Sequence, residues 1–207
     1  MSIMIKTGVF NFILVNCLFF SLLSCGQQSS PYLVDSTIDR TVDENIKLTM
    51  TQMLNAIKSV ETTNDSITLE NFGLGKNLDA ITEAYLSHDT IYIISALAAR
   101  DTTFGYKIIL TRQKCTVNYF SVADENIFKV QKNDKPEHRI SFECSINKLT
   151  LLQKPKFEIG ESLEGVLEFT TNDYWSVSNN IDTKIKKQLT GYFKTKLKNA
   201  NERHINY

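Results

Sequence analysis

The chain has 207 residues, 42% hydrophobic and 22% charged, with Lys+Arg and Asp+Glu both at 23. This composition excludes a disordered or collagen-like chain, and a zero formal charge excludes the strong positive field of a nucleic-acid carrier. With 8 Gly and 3 Pro, long flexible linkers are excluded as well, and the length predicts one folded domain.

The first 24 residues differ from all that follows. Lys6 is their only charge, and Gly8 to Ser24 is almost wholly apolar, interrupted by Asn11, Asn16 and Ser21. A charged start followed by an apolar run is the layout of a secretory signal peptide. The run is short and polar for a membrane span, which needs roughly 20 predominantly apolar residues. It ends in Leu22-Leu23-Ser24-Cys25. That tetrapeptide resembles the lipobox of bacterial lipoproteins: an aliphatic residue, a tolerant position, a small residue, then cysteine. Leu23 stands where Ala or Ser is commoner, and the resemblance covers residues 1–25 only. It implies cleavage after Ser24, palmitate-like acyl chains on Cys25, and a lipid bilayer as partner. Gly26, rather than an aspartate, favours the outer over the inner membrane by the same resemblance. Residues 25–31 are polar and read as a tether of ~20 Å when extended.

Thr41-Val-Asp-Glu44 fits a capping box. Ile46, Met50, Met53, Leu54 and Ile57 recur behind it at helical spacing, predicting a helix over 42–60. Glu61 to Ser66 breaks it. A second helix is expected over 77–87, with Leu78, Ile81 and Tyr85 on one side. From His88 the character changes. Thr90–Leu97, Phe104–Thr111, Cys115–Val122, Asn126–Gln131, Arg139–Ile146 and Leu149–Gln153 read as strands joined by short turns, which implies antiparallel pairing. Leu163-Glu-Gly165 opens a strand to Thr170, and Leu189-Thr-Gly191 echoes it. The shared glycine points to a close backbone approach in each. Ile185, Leu189, Phe193 and Leu197 stand four apart, as on a helix. The β-formers around Gly191 favour a strand.

Candidate chemistry is sparse. Cys115 and Cys144 both lie on apolar strand faces; export would put them where disulfides form, so they are a candidate disulfide, with two buried thiols as the other reading. His88, His138 and His204 have no partners at metal-ligand spacing, and no metal or other cofactor is called for. Gly73-Leu-Gly75-Lys76 lacks the first glycine and the Ser/Thr of a phosphate loop. Glu158, Glu161, Glu164 and Glu168 read as outward-facing carboxylates on a strand-rich stretch. Lys184 to Lys198 is basic, and within a neutral total reads as a solvated face. Asn172-Asp-Tyr174-Trp175 places two aromatics, including the only tryptophan, in an apparent loop. Tyr174 and Trp175 are therefore the candidate binding residues.

The expected fold is α+β: two N-terminal helices and then a largely antiparallel sheet of six to eight strands, meandering or sandwich-like. Residues 1–24 form the cleaved signal, 25–31 the lipidated cysteine and tether, 32–199 one globular domain and 200–207 a frayed tail. The leading expectation of function is a lipid-anchored envelope protein that binds a protein or glycan partner rather than an enzyme, with no role on nucleic acid. The other two readings are a carboxylate enzyme acting on peptidoglycan or glycan, and an immunity or inhibitor lipoprotein.

Overall fold

The computed structural model describes residues 30–35, 56–63, 66–72, 80–99 and 101–202. Within these ranges the chain is built from strands: β1 (Leu33–Val34), β2 (Ala56–Thr63), β3 (Ser66–Phe72), β4 (Ala80–Ser87), β5 (Thr90–Ala99), β6 (Thr102–Leu110), β7 (Cys115–Ala123), β8 (Phe128–Lys129), β9 (Arg139–Leu151), β10 (Ser162–Thr170), β11 (Tyr174–Ser178) and β12 (Ile181–Asn199). A 3-10 turn, Ala200–Glu202, follows.

β4, β5, β6 and β7 pair antiparallel in sequence, and β7 pairs with the first half of β9. The second half of β9 pairs with β10, and β10 pairs with β12. β12 then meets β4 at Leu197↔Ala84, Lys198↔Tyr85 and Asn199↔Leu86. The pairings close a ring of seven strands, a barrel. Strands that alternate in direction and are odd in number leave the first and last pointing the same way. The closing joint is accordingly parallel.

The remaining strands decorate this ring. The β2–β3 hairpin lies along β12 at Ile185–Tyr192, and β11 pairs with β12 at Ile181–Ile185, with β8 outside it. β1 runs parallel to the end of β9. β12, at 19 residues, thus serves four partners in turn. One barrel end, called lower here, carries the β4–β5 turn, the β6–β7 turn and the 152–161 segment. The other, upper end carries the 124–138 segment and the β11–β12 turn.

Side chains alternate across the wall. Ile91, Ile93 and Leu97 of β5, Phe104, Tyr106 and Ile108 of β6, Val117 and Tyr119 of β7, Leu167 and Phe169 of β10, and Leu189, Phe193 and Leu197 of β12 point inward and are buried in one cluster. A barrel of about eight strands is just wide enough for side chains to fill. A second buried cluster, Tyr85, Ile94, Ala96 and Phe120, shares the outward register of β4, β5 and β7. That part of the wall is apolar on both faces.

The two echoing glycines belong to adjacent strands, Gly165 opposite Phe193 and Gly191 opposite Leu167. A Cβ on Gly165 would stand 2.8 Å from the Phe193 ring, and one on Gly191 would stand 2.5 Å from the Tyr106 ring. The close approach expected at each is present, and in both an aromatic ring fills the space.

The α+β expectation with two N-terminal helices is overturned. Residues 80–87 of the expected 77–87 helix form β4, paired on both sides. Ile81 and Tyr85 do share a side, but it is the outer face of a strand, while Ala84 and Leu86 face in. Residues 56–60 of the expected 42–60 helix form the start of β2, where Ile57, Val60, Thr62 and Thr63 supply β-branched residues for pairing with β12 and β3. Residues 42–55 lie outside the described residues, as do the signal, Cys25, residues 203–207 and Gly73 to Lys76. The two runs expected at 139–146 and 149–153 are one strand, β9. Of the run expected at 126–131 only Phe128–Lys129 is strand. The ambiguous C-terminal stretch is β12.

Candidate functional site

β11 places the two candidate aromatics on opposite faces. Tyr174 points into the barrel, 1% exposed. Its ring centroid lies 5.9 Å from those of Tyr119 and Phe142 and 6.5 Å from that of Phe128, and its hydroxyl is 3.5 Å from that of Tyr119. It is a core residue and leaves the list of binding candidates. Trp175, one residue on, points outward and is half-buried.

Trp175 is in register with Lys129 of β8 on one side and Lys184 of β12 on the other. Paired residues share a face, so the indole stands between two lysines at strand spacings of about 4.8 Å. Each lysine is held by a carboxylate. Lys129 Nζ donates to both oxygens of Asp182 at 2.8 and 3.0 Å, and Lys184 Nζ lies 2.6 Å from Asp173. The two-residue turn Asn179–Asn180, with φ of 51° and 62°, fixes the register of β11 on β12. The result is an aromatic platform flanked by alternating donors and acceptors. The sequence marked Trp175 through its rarity, with Asp173 two positions before it, but did not join Lys129, Asp182 or Lys184 to it, because only the register brings β8 and β12 beside β11.

A second polar group faces the barrel interior near the upper end. Lys187 is 8% exposed. Its Nζ is 2.8 Å from Glu61 Oε2 of β2 and 5.2 Å above the Phe104 ring. Thr63 donates to the same carboxylate at 2.9 Å. Burial raises the Glu61 pKa, while the Lys187 charge, its hydrogen bond and that of Thr63 lower it; the net shift is downward. The solvated basic face expected over 184–198 is thus real for Lys184, Lys186, Lys194 and Lys196, with Lys187 turned inward.

The carboxylates expected to face outward divide by task. Glu164 accepts from Tyr192 and pairs with Lys194 at 2.9 Å. Glu161 accepts from the backbone N–H groups of Lys156 and Phe157. Glu158 is exposed and Glu168 half-buried. They do not assemble as a catalytic pair. His88 occupies the β4–β5 turn with φ 53° and His138 an exposed segment before β9. Among the described residues no three His, Cys, Asp or Glu side chains gather.

Cys115 and Cys144 are free thiols. Cys144 is opposite Val117, so Cys115 is its diagonal neighbour on the same face. Burial pushes both thiols up to about 11, which keeps them protonated and poorly nucleophilic.

No protein family, no curated protein and no solved structure matches this chain.

Proposed function

We propose that this chain is a membrane-anchored lipoprotein of the cell envelope, held by acyl chains on Cys25, whose barrel binds a partner rather than catalysing a reaction. The observation that carries the anchor is Leu22-Leu23-Ser24-Cys25 at the end of the apolar run that follows Lys6. Gly26 favours the outer membrane. Supporting the binding role is the contrast between the two faces of the wall. Apart from the Lys187–Glu61 pair the interior is packed mainly with apolar side chains, whereas Trp175 stands on the outside between two lysine–aspartate pairs. An indole face stacks on the apolar face of a sugar ring, and lysine–aspartate pairs offer donors and acceptors to hydroxyls beside it. An envelope glycan is therefore the favoured ligand.

Two measurements test this. A Cys25→Ser chain should lose incorporation of an alkyne palmitate analogue and leave the membrane fraction; a variant that stays membrane-bound refutes the anchor. Trp175→Ala should abolish retention on insoluble peptidoglycan while leaving the melting temperature within a degree or two. Unchanged retention removes Trp175 from the binding role.

A further inference from the structure

The structure also points to which end of the barrel meets the membrane; the inference rests on the lipoprotein reading and extends it. The chain leading from Cys25 joins the barrel through β1, which pairs with Thr150 and Leu151, the last residues of β9. Tyr32, just before β1, is sunk in the core at 7% exposure, so the junction is fixed. Cys25 precedes Ser30 by five residues, a reach of at most about 18 Å. Tilted wall strands of nine or ten residues hold the upper end roughly 25 Å from the lower one. The lipid is thus tied close to the lower end.

That end is shaped for a bilayer surface. Leu33, Val34 and Ile159 are 57%, 52% and 58% exposed there. Arg112 and Lys114 of the β6–β7 turn and Lys154 and Lys156 of the 152–161 segment share this end with them, all exposed. Of the acidic side chains at this end, Glu161 accepts from the Lys156 and Phe157 N–H groups at 2.9 and 3.1 Å, while Glu158 beside Ile159 and Asp89 of the β4–β5 turn are exposed and are outnumbered by the four cations. Phe157 anchors the segment: it packs on the core with φ at 65°, and Arg112 lies 4.7 Å over its ring. The Ile159 tip is therefore presented on a fixed loop. Gly160 and Glu161 tie it further to Leu197 by backbone hydrogen bonds of 2.7 and 2.8 Å. Apolar tips among an excess of cations suit the interface of an anionic bilayer. The upper end also exposes apolar side chains, Val130 and Ile181. There, however, Asp101, Asp124, Glu125, Asp134 and Glu137 outnumber Lys132, Lys135 and Arg139, which an anionic surface repels.

We infer that the lower end lies on the bilayer with Ile159 entering the headgroup region, and that Trp175 faces away from the membrane. The single tryptophan makes this directly testable with the full lipidated chain in vesicles of phosphatidylethanolamine and phosphatidylglycerol carrying acyl-chain bromines. Emission from Trp175 in the wild-type protein should be unquenched. In a Trp175→Phe, Ile159→Trp chain it should fall roughly two-fold or more, since interfacial insertion reaches about 5–10 Å deep. Lys154→Glu with Lys156→Glu in that background should restore the emission while the protein still floats with the vesicles. Quenching of Trp175, or no quenching at position 159 in a chain that floats, overturns the orientation alone. A wild-type chain that does not float overturns the anchor and the orientation with it.

Discussion

Tyr106 is where packing and polarity conflict most sharply. It is fully buried, and its hydroxyl has no hydrogen-bond partner among the described residues. Ser95 is its register partner and moderates the upward pull of burial on its pKa, but the geometry falls short of a hydrogen bond. A buried hydroxyl without a partner costs ~1–3 kcal/mol. Tyr106→Phe keeps the ring against Gly191 and should raise the urea midpoint. Gly191→Ala should lower stability by ~1–3 kcal/mol, because ring and wall cannot both yield. Glu61 makes a second prediction at this scale. Its pKa in the fold lies below its ordinary 4.5. The unfolded chain therefore takes up its proton first as pH falls, so the stability it contributes is present above about 4.5 and drains away below it. A Lys187→Met chain should show a shallower loss of stability over that acid window in denaturant melts. If the two slopes coincide, the pair does not set that dependence.

The hairpin of β11 and β12 shows how strictly an element sorts neighbouring residues. Tyr174→Ala should cost ~3–5 kcal/mol, the range for emptying a large aromatic site, and Trp175→Ala should leave thermal melting nearly unchanged. A chain in which Trp175→Ala melts as early as Tyr174→Ala would put both in the core. This sorting bears on what could be read from the sequence. β5, β6, β7 and β10 were legible because β-branched, aromatic and other apolar residues crowd them, and short turns set off β5, β6 and β7. β12 was read as a strand but kept a helical alternative because Ile185, Leu189, Phe193 and Leu197 stand four apart, and four is both near a helical turn and a multiple of the strand period. β4 was misread for a related reason: Ile81 and Tyr85 stand four apart on its outer face. The buried outer cluster of Tyr85, Ile94, Ala96 and Phe120 weakened the alternation there. The platform around Trp175 was legible only as a lone tryptophan, since Lys129 precedes it by 46 positions and nothing local joins them.

For the whole molecule, the parallel joint between β4 and β12 is the shortest joint of the ring, with three residue pairs. Polar side chains reinforce it. Lys198 donates to Glu83 at 3.1 Å, Tyr85 donates to the same carboxylate, and Thr195 donates to the Thr82 carbonyl at 3.4 Å. Lys198→Ala should therefore act locally. Amide exchange should quicken in Ala84–Leu86 and Leu197–Asn199 ahead of β6, which is paired along its full length on both sides. Uniform acceleration across all strands would mean that the ring opens only as a unit. Antiparallel order was legible from the short turns, but closure was not. Nothing local in the sequence says that the strand ending at Asn199 comes back to the one ending at Ser87.

That joint also sets a timetable. Glu83 and Lys198 are 115 positions apart, and polypeptides are synthesised amino end first. A ring has no partial form: until β12 arrives, β4 has one bare edge and the inward faces of β5, β6 and β7 have nothing opposite them. For most of its emergence the chain is an open, sticky ribbon, vulnerable to pairing with a neighbour. Its escape from aggregation waits on Leu197–Asn199.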